Sequence, residues 1–222
     1  MNGALNILRN KDKSIKAVTR GVERALVIGD MPFSAYQIKP REAAANARRF
    51  IDEAGCQAVK IEWFDGCLDV TKRIFAAGIP VMGHVGLTPQ SVESPAGFKV
   101  QGKTAQAAKQ ILANAKVLTK CGVFGIVLEC IPNQLAGLIT RKISVPTIGI
   151  GAGAQTSGQV LVIHDLLGLL EGFNPKFSKK FADAGKLITE GVKRYKDDVE
   201  SGRFPDPAHS FTMPDEEFRK LK

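Results

Sequence analysis

The order of apolar and polar positions divides the chain into two alternating kinds of segment. Short β-branched and apolar runs fall at 25–29, 57–62, 79–85, 123–129, 145–150 and 159–164. Their nearly continuous apolar character is the pattern of parallel strands covered on both faces. Around them lie longer charged, Ala-rich stretches with helical periodicity, at 14–24, 40–54, 66–77, 104–121, 132–142 and 183–200. Pro40 and Pro132 stand where a first-turn proline is tolerated, and Gly55, Gly78 and Gly122 stand where helices stop. Strand–helix alternation predicts an α/β fold with a parallel sheet. No linker or shift in composition divides residues 1–222, so one domain is expected.

Groups capable of chemistry recur where the predicted strands end: Asp30, Glu62, His84 and Glu129. Barrels and open α/β sheets both place their sites at strand C-termini. Donation from four strands favours a barrel, because an open sheet gathers its site at one switch point. A closed barrel of this type needs eight strands, and six are legible. Either the sheet is open or two N-terminal strands are lost.

Composition narrows this picture without changing it. A 222-residue chain that is 44% hydrophobic can bury one sizeable core. No stretch approaches the ~20 apolar residues that cross a bilayer, and residues 1–13 lack the apolar centre of a secretory signal. Four scattered cysteines, with no CxxC pair and no histidine at metal spacing, read as reduced thiols. The net charge of +9 raises the question of nucleic acid. The basic residues of the C-terminal part (Lys176, Lys179, Lys180, Lys186, Lys193, Arg194, Lys196) are, however, interspersed with Glu190, Asp197, Asp198 and Glu200. No aromatic–basic alternation accompanies them, so a solvated helical face is expected and no nucleic-acid or membrane partner.

Each motif also has a plainer reading. Gly149, Gly151 and Ala154 fit a permissive dinucleotide pattern, but a strand-like run follows where that fingerprint opens a helix, so a tight glycine turn is expected instead. Asp30 is followed by Met31-Pro32-Phe33, which does not begin a helix; the next helix is predicted only at Pro40, leaving the carboxylate available as a ligand. Lys60 and Glu62, two apart, share one strand face. Two charges there are costly unless used, either as a structural ion pair or with Glu62 on a divalent metal and Lys60 on a substrate anion. A lone histidine is more often a satisfied structural residue than a catalyst, but His84 is flanked by Gly83 and Gly86, which permit a ligand's close approach. Glu129 ends an apolar run, and local sequence leaves open whether it is a general base or caps the helix near Pro132. Two carboxylates without a Cys/His cluster suit Mg²⁺ better than Zn²⁺.

The segments GDMPFSAY (29–36), VKIE (59–62), VMGHVGLTPQS (81–91), GFKVQGK (97–103), VLECIP (127–132), SVPTIGIGAG (144–153), GQVLVIHDLLG (158–168) and ESGRFPDPAHSF (200–211) together resemble the ketopantoate hydroxymethyltransferase family. The resemblance implies a (βα)8 TIM barrel of the phosphoenolpyruvate/pyruvate type, a Mg²⁺ ion, 5,10-methylenetetrahydrofolate as one-carbon donor and a homo-oligomer, typically a decamer. It implies metal binding by Asp30 and Glu62, substrate binding by Asp30, Lys60 and His84, and proton acceptance by Glu129. The residues that contact folate are not identified. The compartment implied is bacterial cytoplasm, or the mitochondrion for a eukaryotic chain.

Two departures accompany it. The family's Val-Gly-Asp-Ser motif on the second barrel strand has no counterpart before Ser14, so a barrel lacking roughly its first two strands is expected. The usual Glu-Gly-Gly is replaced by Glu62-Trp63-Phe64, which puts bulk beside a metal-directed carboxylate. The expected reaction converts 3-methyl-2-oxobutanoate to 2-dehydropantoate through a Mg²⁺-stabilised enolate, a step in pantothenate biosynthesis. The competing expectations are a truncated homologue that assembles without turnover, and a sister barrel enzyme acting on phosphoenolpyruvate or other 2-oxo acids.

Overall fold

The computed structural model describes residues 14–91, 99–170, 172 and 175–222. The polar segment 1–13 and the first two residues of 97–103 lie outside the described residues. Among the described residues six strands form one parallel sheet in chain order: β1 (Ile28–Asp30), β2 (Ala58–Glu62), β3 (Val81–Gly86), β4 (Gly125–Glu129), β5 (Thr147–Ile150) and β6 (Gly158–Gln159). Among the described residues β1 and β6 are its two edges. Helix α1 covers 14–21. It is followed by α2 (Phe33–Tyr36), α3 (Pro40–Asp52), α4 (Cys67–Ala76), α5 (Ala105–Lys120), α6 (Asn133–Lys142), α7 (Ile163–Leu167), α8 (Ala184–Glu200) and α9 (Asp215–Arg219).

The strands are buried because helices cover them. Val59, Ile61, Val81, Val85, Ile126 and Leu128 form one core with Ala43, Ala47 and Phe50 of α3, Val70 and Ile74 of α4, Ala115 and Leu118 of α5, and Ile139 of α6. Small alanines on α3 let that helix lie close to the sheet. Thr104 starts α5 by accepting a hydrogen bond from Ala107 N with its side chain, satisfying one of the helix's open N–H groups. The four cysteines are buried thiols. No helix among the described residues is long and apolar enough to cross a membrane.

Two expectations are corrected. A short helix, α2, does begin at Phe33, directly after the Asp30 strand end. Pro32 offers no side-chain cap; the N–H of Phe33 is satisfied by the Gln90 side chain, from 57 residues away. The run at 159–164 is not one strand. Pairing ends at Gln159, with one further bond from Val160 N to Gly149 O, and α7 then forms through bonds from Asp165 N and Leu166 N to Val162 O. The glycine turn after β5 leads to β6 and no helix, as expected. Gly153 has φ +79, and a Cβ there would lie 2.4 Å from Asn133 Cβ, so the reason for glycine is steric.

Contacts divide the chain into two compact units, residues 1–160 and residues 161–222. The sheet belongs to the first. In the second, α8 buries no residue and carries the basic face with Lys186–Glu190 and Lys196–Glu200 ion pairs at 3.8 and 2.7 Å. It also exposes Leu187, Ile188, Val192, Tyr195 and Val199, an apolar component beside the expected charged face.

Candidate active site

Register brings the reactive groups together. Asp30 pairs with Lys60, Glu62 with His84, and Gly86 with Glu129, so four adjacent strands deliver their C-terminal residues to one place. Adjacent strands lie about 4.8 Å apart, which puts side chains from neighbouring strands within reach of one another. All five residues singled out from sequence (Asp30, Lys60, Glu62, His84 and Glu129) belong to this cluster.

His84 is its centre, with its side chain 2% exposed. Lys60 Nζ lies 2.8 Å from Asp30 Oδ1 and 3.3 Å from His84 Nδ1. An ammonium only donates, so a hydrogen bond from Lys60 requires Nδ1 to accept and assigns the ring proton of a neutral imidazole to Nε2. Nδ1 is also 3.8 Å from Glu62 Oε1, while Nε2 faces Glu129 Oε2 at 3.3 Å. That last approach lacks hydrogen-bond alignment, and Nε2 is a buried polar atom without a hydrogen-bond partner. A buried polar atom left open beside a carboxylate points to a polar ligand.

Glu62 is almost fully buried, and desolvation pushes its carboxyl above the ordinary carboxylate range. His84, Lys60 and a hydrogen bond from Gln90 N at 3.2 Å pull the other way without cancelling that effect. Tyr36, fully buried at the end of α2, accepts a hydrogen bond from Glu62 N at 3.1 Å. Burial raises its phenol far above the usual value. Cys130, next to Glu129, has a backbone φ of 47°, and burial with the neighbouring carboxylate pushes its thiol up to about 11.

The bulk of Trp63 and Phe64 is absorbed by packing. Phe64 makes tilted and edge contacts with Tyr36 and Phe33, ring centroids 5.6 and 6.0 Å apart. Trp63 packs against the core. With the Asn114 amide oxygen turned toward the indole, Trp63 Nε1 donates to it at 3.1 Å.

Two participants went unremarked in the sequence. Gln90 contacts Asp30 and Glu62, and Tyr36 contacts the Glu62 backbone. Both sit inside segments that carry the family resemblance, at 81–91 and 29–36, and that was the available signal.

The donor set suits a divalent cation of the hard, oxygen-binding kind. Among the described residues no group of three His, Cys, Asp or Glu side chains is placed to hold a metal. Two carboxylates remain, and a hard cation that retains several waters is commonly held by one or two. The Glu62 carboxylate, buried and incompletely compensated, is an anion that such a charge would relieve. The residues fit.

Comparison with known proteins supplies the family. Residues 9–207 match the family model described as ketopantoate hydroxymethyltransferase. A 3-methyl-2-oxobutanoate hydroxymethyltransferase of Syntrophomonas wolfei is 53% identical over 206 residues, covering 93% of this chain and 75% of that protein. Its namesake in Syntrophobacter fumaroxidans is 53% identical over 205 residues, covering 92% and 73%. One from Clostridium botulinum is 50% identical over 206 residues, covering 93% and 75%. A solved phosphonopyruvate hydrolase aligns over 96% of this chain and 74% of its own at a TM-score of 0.47 and 12% identity, too loosely to carry an argument. On the length and identity of these matches, the chain belongs to the ketopantoate hydroxymethyltransferase family.

Proposed function

We propose that this chain transfers a hydroxymethyl group from 5,10-methylenetetrahydrofolate to 3-methyl-2-oxobutanoate, giving 2-dehydropantoate. The observation that carries the reading is the His84-centred cluster: an ammonium, an imidazole and three carboxylates converge at the ends of four neighbouring parallel strands. Its residues are those that the family resemblance assigns to substrate, metal and proton transfer. On the same reading, β1–β6 are six strands of a (βα)8 barrel, and the protein works as a homo-oligomer.

Lys60 binds the carboxylate of the 2-oxo acid as a point charge held between Asp30 and His84. Asp30 and Glu62 would hold Mg²⁺, which supplies Lewis acidity toward the 2-oxo group when bound. The Nε2–H of His84, unpartnered in the cluster, donates to a substrate oxygen. Glu129 accepts the proton when the C3–H bond breaks, and the electron pair moves into the C2–C3 enolate. C3 then forms a bond to the folate-borne methylene carbon as the first of that carbon's two C–N bonds breaks, its electron pair going to the departing nitrogen, which takes up a proton. Water replaces the folate nitrogen on that carbon, completing the hydroxymethyl group.

The test is exchange of the C3 hydrogen of 3-methyl-2-oxobutanoate in D₂O with Mg²⁺ present, followed by NMR, with product formation on adding the folate donor. Exchange and product are expected. Their absence in a chain that still folds would favour the reading of an assembly subunit without turnover.

A further inference from the structure

We infer that Gln90 is a positioning residue that sets the Asp30 and Glu62 carboxylates as a pair. The inference rests on the proposed function above and adds a residue to which no role has been attached.

Gln90 lies in the 3-10 turn Pro89–Ser91 that follows β3. Its main-chain N donates to Glu62 Oε2 at 3.2 Å. Its side-chain Nε2 donates to Asp30 Oδ1 at 3.3 Å and to Met31 O at 3.1 Å, and its Oε1 accepts from Phe33 N at 2.9 Å. One residue thus touches both candidate metal carboxylates, which come from β1 and β2, while standing on the turn after a third strand. Its main-chain N–H and both ends of its side-chain amide are used there.

The chemistry of the amide matters. A lysine or arginine in this place would orient the carboxylates but cancel part of their charge. An uncharged amide orients them and leaves the charge available to a cation. Hydrogen bonds of this kind to ligating carboxylates fix their geometry and tune their affinity. The Phe33 bond extends the same control to the start of α2. That helix carries Tyr36, whose hydroxyl meets the Glu62 backbone. Gln90 therefore holds Glu62 from its own turn and supports, through α2, the second element that contacts it.

A purely structural role, capping α2, predicts a change in melting temperature only. Positioning predicts a change in cation binding and in the kcat for C3 exchange, with substrate KM affected less. The experiment titrates Mn²⁺ into the unaltered full chain, Gln90→Met and Gln90→Asn by calorimetry, alongside thermal melting and the exchange assay. Gln90→Met keeps the length but deletes the side-chain bonds. Gln90→Asn keeps an amide too short to reach Phe33 N and Asp30 together, and it decides the matter if Gln90→Met does not fold. Mn²⁺ binding weaker by roughly 10–100-fold is expected in the folded variants, the usual cost of losing such a partner. Affinity within about twofold of the unaltered chain would overturn the inference while leaving the proposed function standing. An unaltered chain that binds no Mn²⁺ would overturn both.

Discussion

His84 Nε2 and Glu129 Oε2 approach to 3.3 Å without forming an aligned hydrogen bond. The buried Nε2 is therefore left without a partner although a carboxylate stands beside it. Catalytic hydrogen bonds are often long or misaligned before substrate arrives and tighten in the complex. Glu129, at the end of β4 and only partly exposed, is the carboxylate facing Nε2. Gln in its place retains the shape and loses the base. Glu129→Gln is expected to slow C3 deuterium exchange by roughly 10²–10⁴-fold, the span typical of one positioned base, with little change in melting temperature. Undiminished exchange would remove Glu129 from the proton step.

Glu62 makes a different prediction, about stability. Its folded-state carboxyl is raised by burial above the unfolded value. A group raised in this way contributes its stability fully below the unfolded carboxylate range and loses it as pH climbs through the folded value. The chain without added cation should therefore lose stability as pH rises from acid toward neutrality by this route. Glu62→Gln cannot ionise, and its amide oxygen can still accept from Gln90 N. Melting curves at several pH values should show the variant less sensitive over that window. Near neutral pH it should be the more stable of the two, in keeping with the trade-off between stability and activity at functional sites. C3 exchange should fall at the same time. A variant less stable than the unaltered chain at neutral pH would contradict the reading of Glu62 as an undercompensated buried acid.

The parts of the molecule that were legible in the sequence share a physical cause. Strands and long helices were set by local periodicity, and their ends fell within a few residues of expectation because prolines and glycines act on the chain beside them. The five cluster residues were legible because parallel strands in register end together, so that position along each strand predicts proximity across strands. What was hidden depended on distant partners. Helix α2 has no cap in its own sequence, since Gln90 supplies the acceptor from across the sheet. The run at 159–164 is apolar enough for a strand, yet it pairs only at its start and then closes bonds within itself. Trp63 and Phe64 promised obstruction beside Glu62, but their destinations lay on α5 and α2.

Gly86 couples the backbone of β3 to the placement of Glu129. Its φ is +103, and a Cβ built on it would stand 2.3 Å from Glu129 O. Leu87 N donates to that same oxygen at 2.9 Å. Alanine at 86 meets both an unfavourable backbone angle and a main-chain oxygen that cannot move without dragging the β4 end. Gly86→Ala is expected to destabilise the fold by about 1–3 kcal/mol, the usual cost of strain at such a position. It should also reduce C3 exchange more than an equally destabilising change remote from the site, such as truncation of Ile139 in α6. Denaturant melts paired with the exchange assay separate the two effects. Equal exchange rates in the two variants at equal stability would show that the β3–β4 contact does not set Glu129.

Trp63 is the single tryptophan of the chain and follows Glu62 directly, so its emission reports on the site from inside the fold. Its indole N–H is directed to the buried amide of Asn114 on α5. Removing that acceptor leaves the donor to find water or remain unsatisfied, at about 1–3 kcal/mol. Asn114→Ala is accordingly expected to lower the melting temperature and to shift Trp63 emission to the red as water reaches the ring. Because Trp63 N also donates to His84 O at 2.9 Å, movement of the β2 end changes the indole surroundings. Adding 3-methyl-2-oxobutanoate with Mg²⁺ should therefore alter the emission of the unaltered chain, with a smaller response in Asn114→Ala, where the ring is no longer held. An emission spectrum insensitive to both the substitution and the ligands would show that the indole is not fixed against α5.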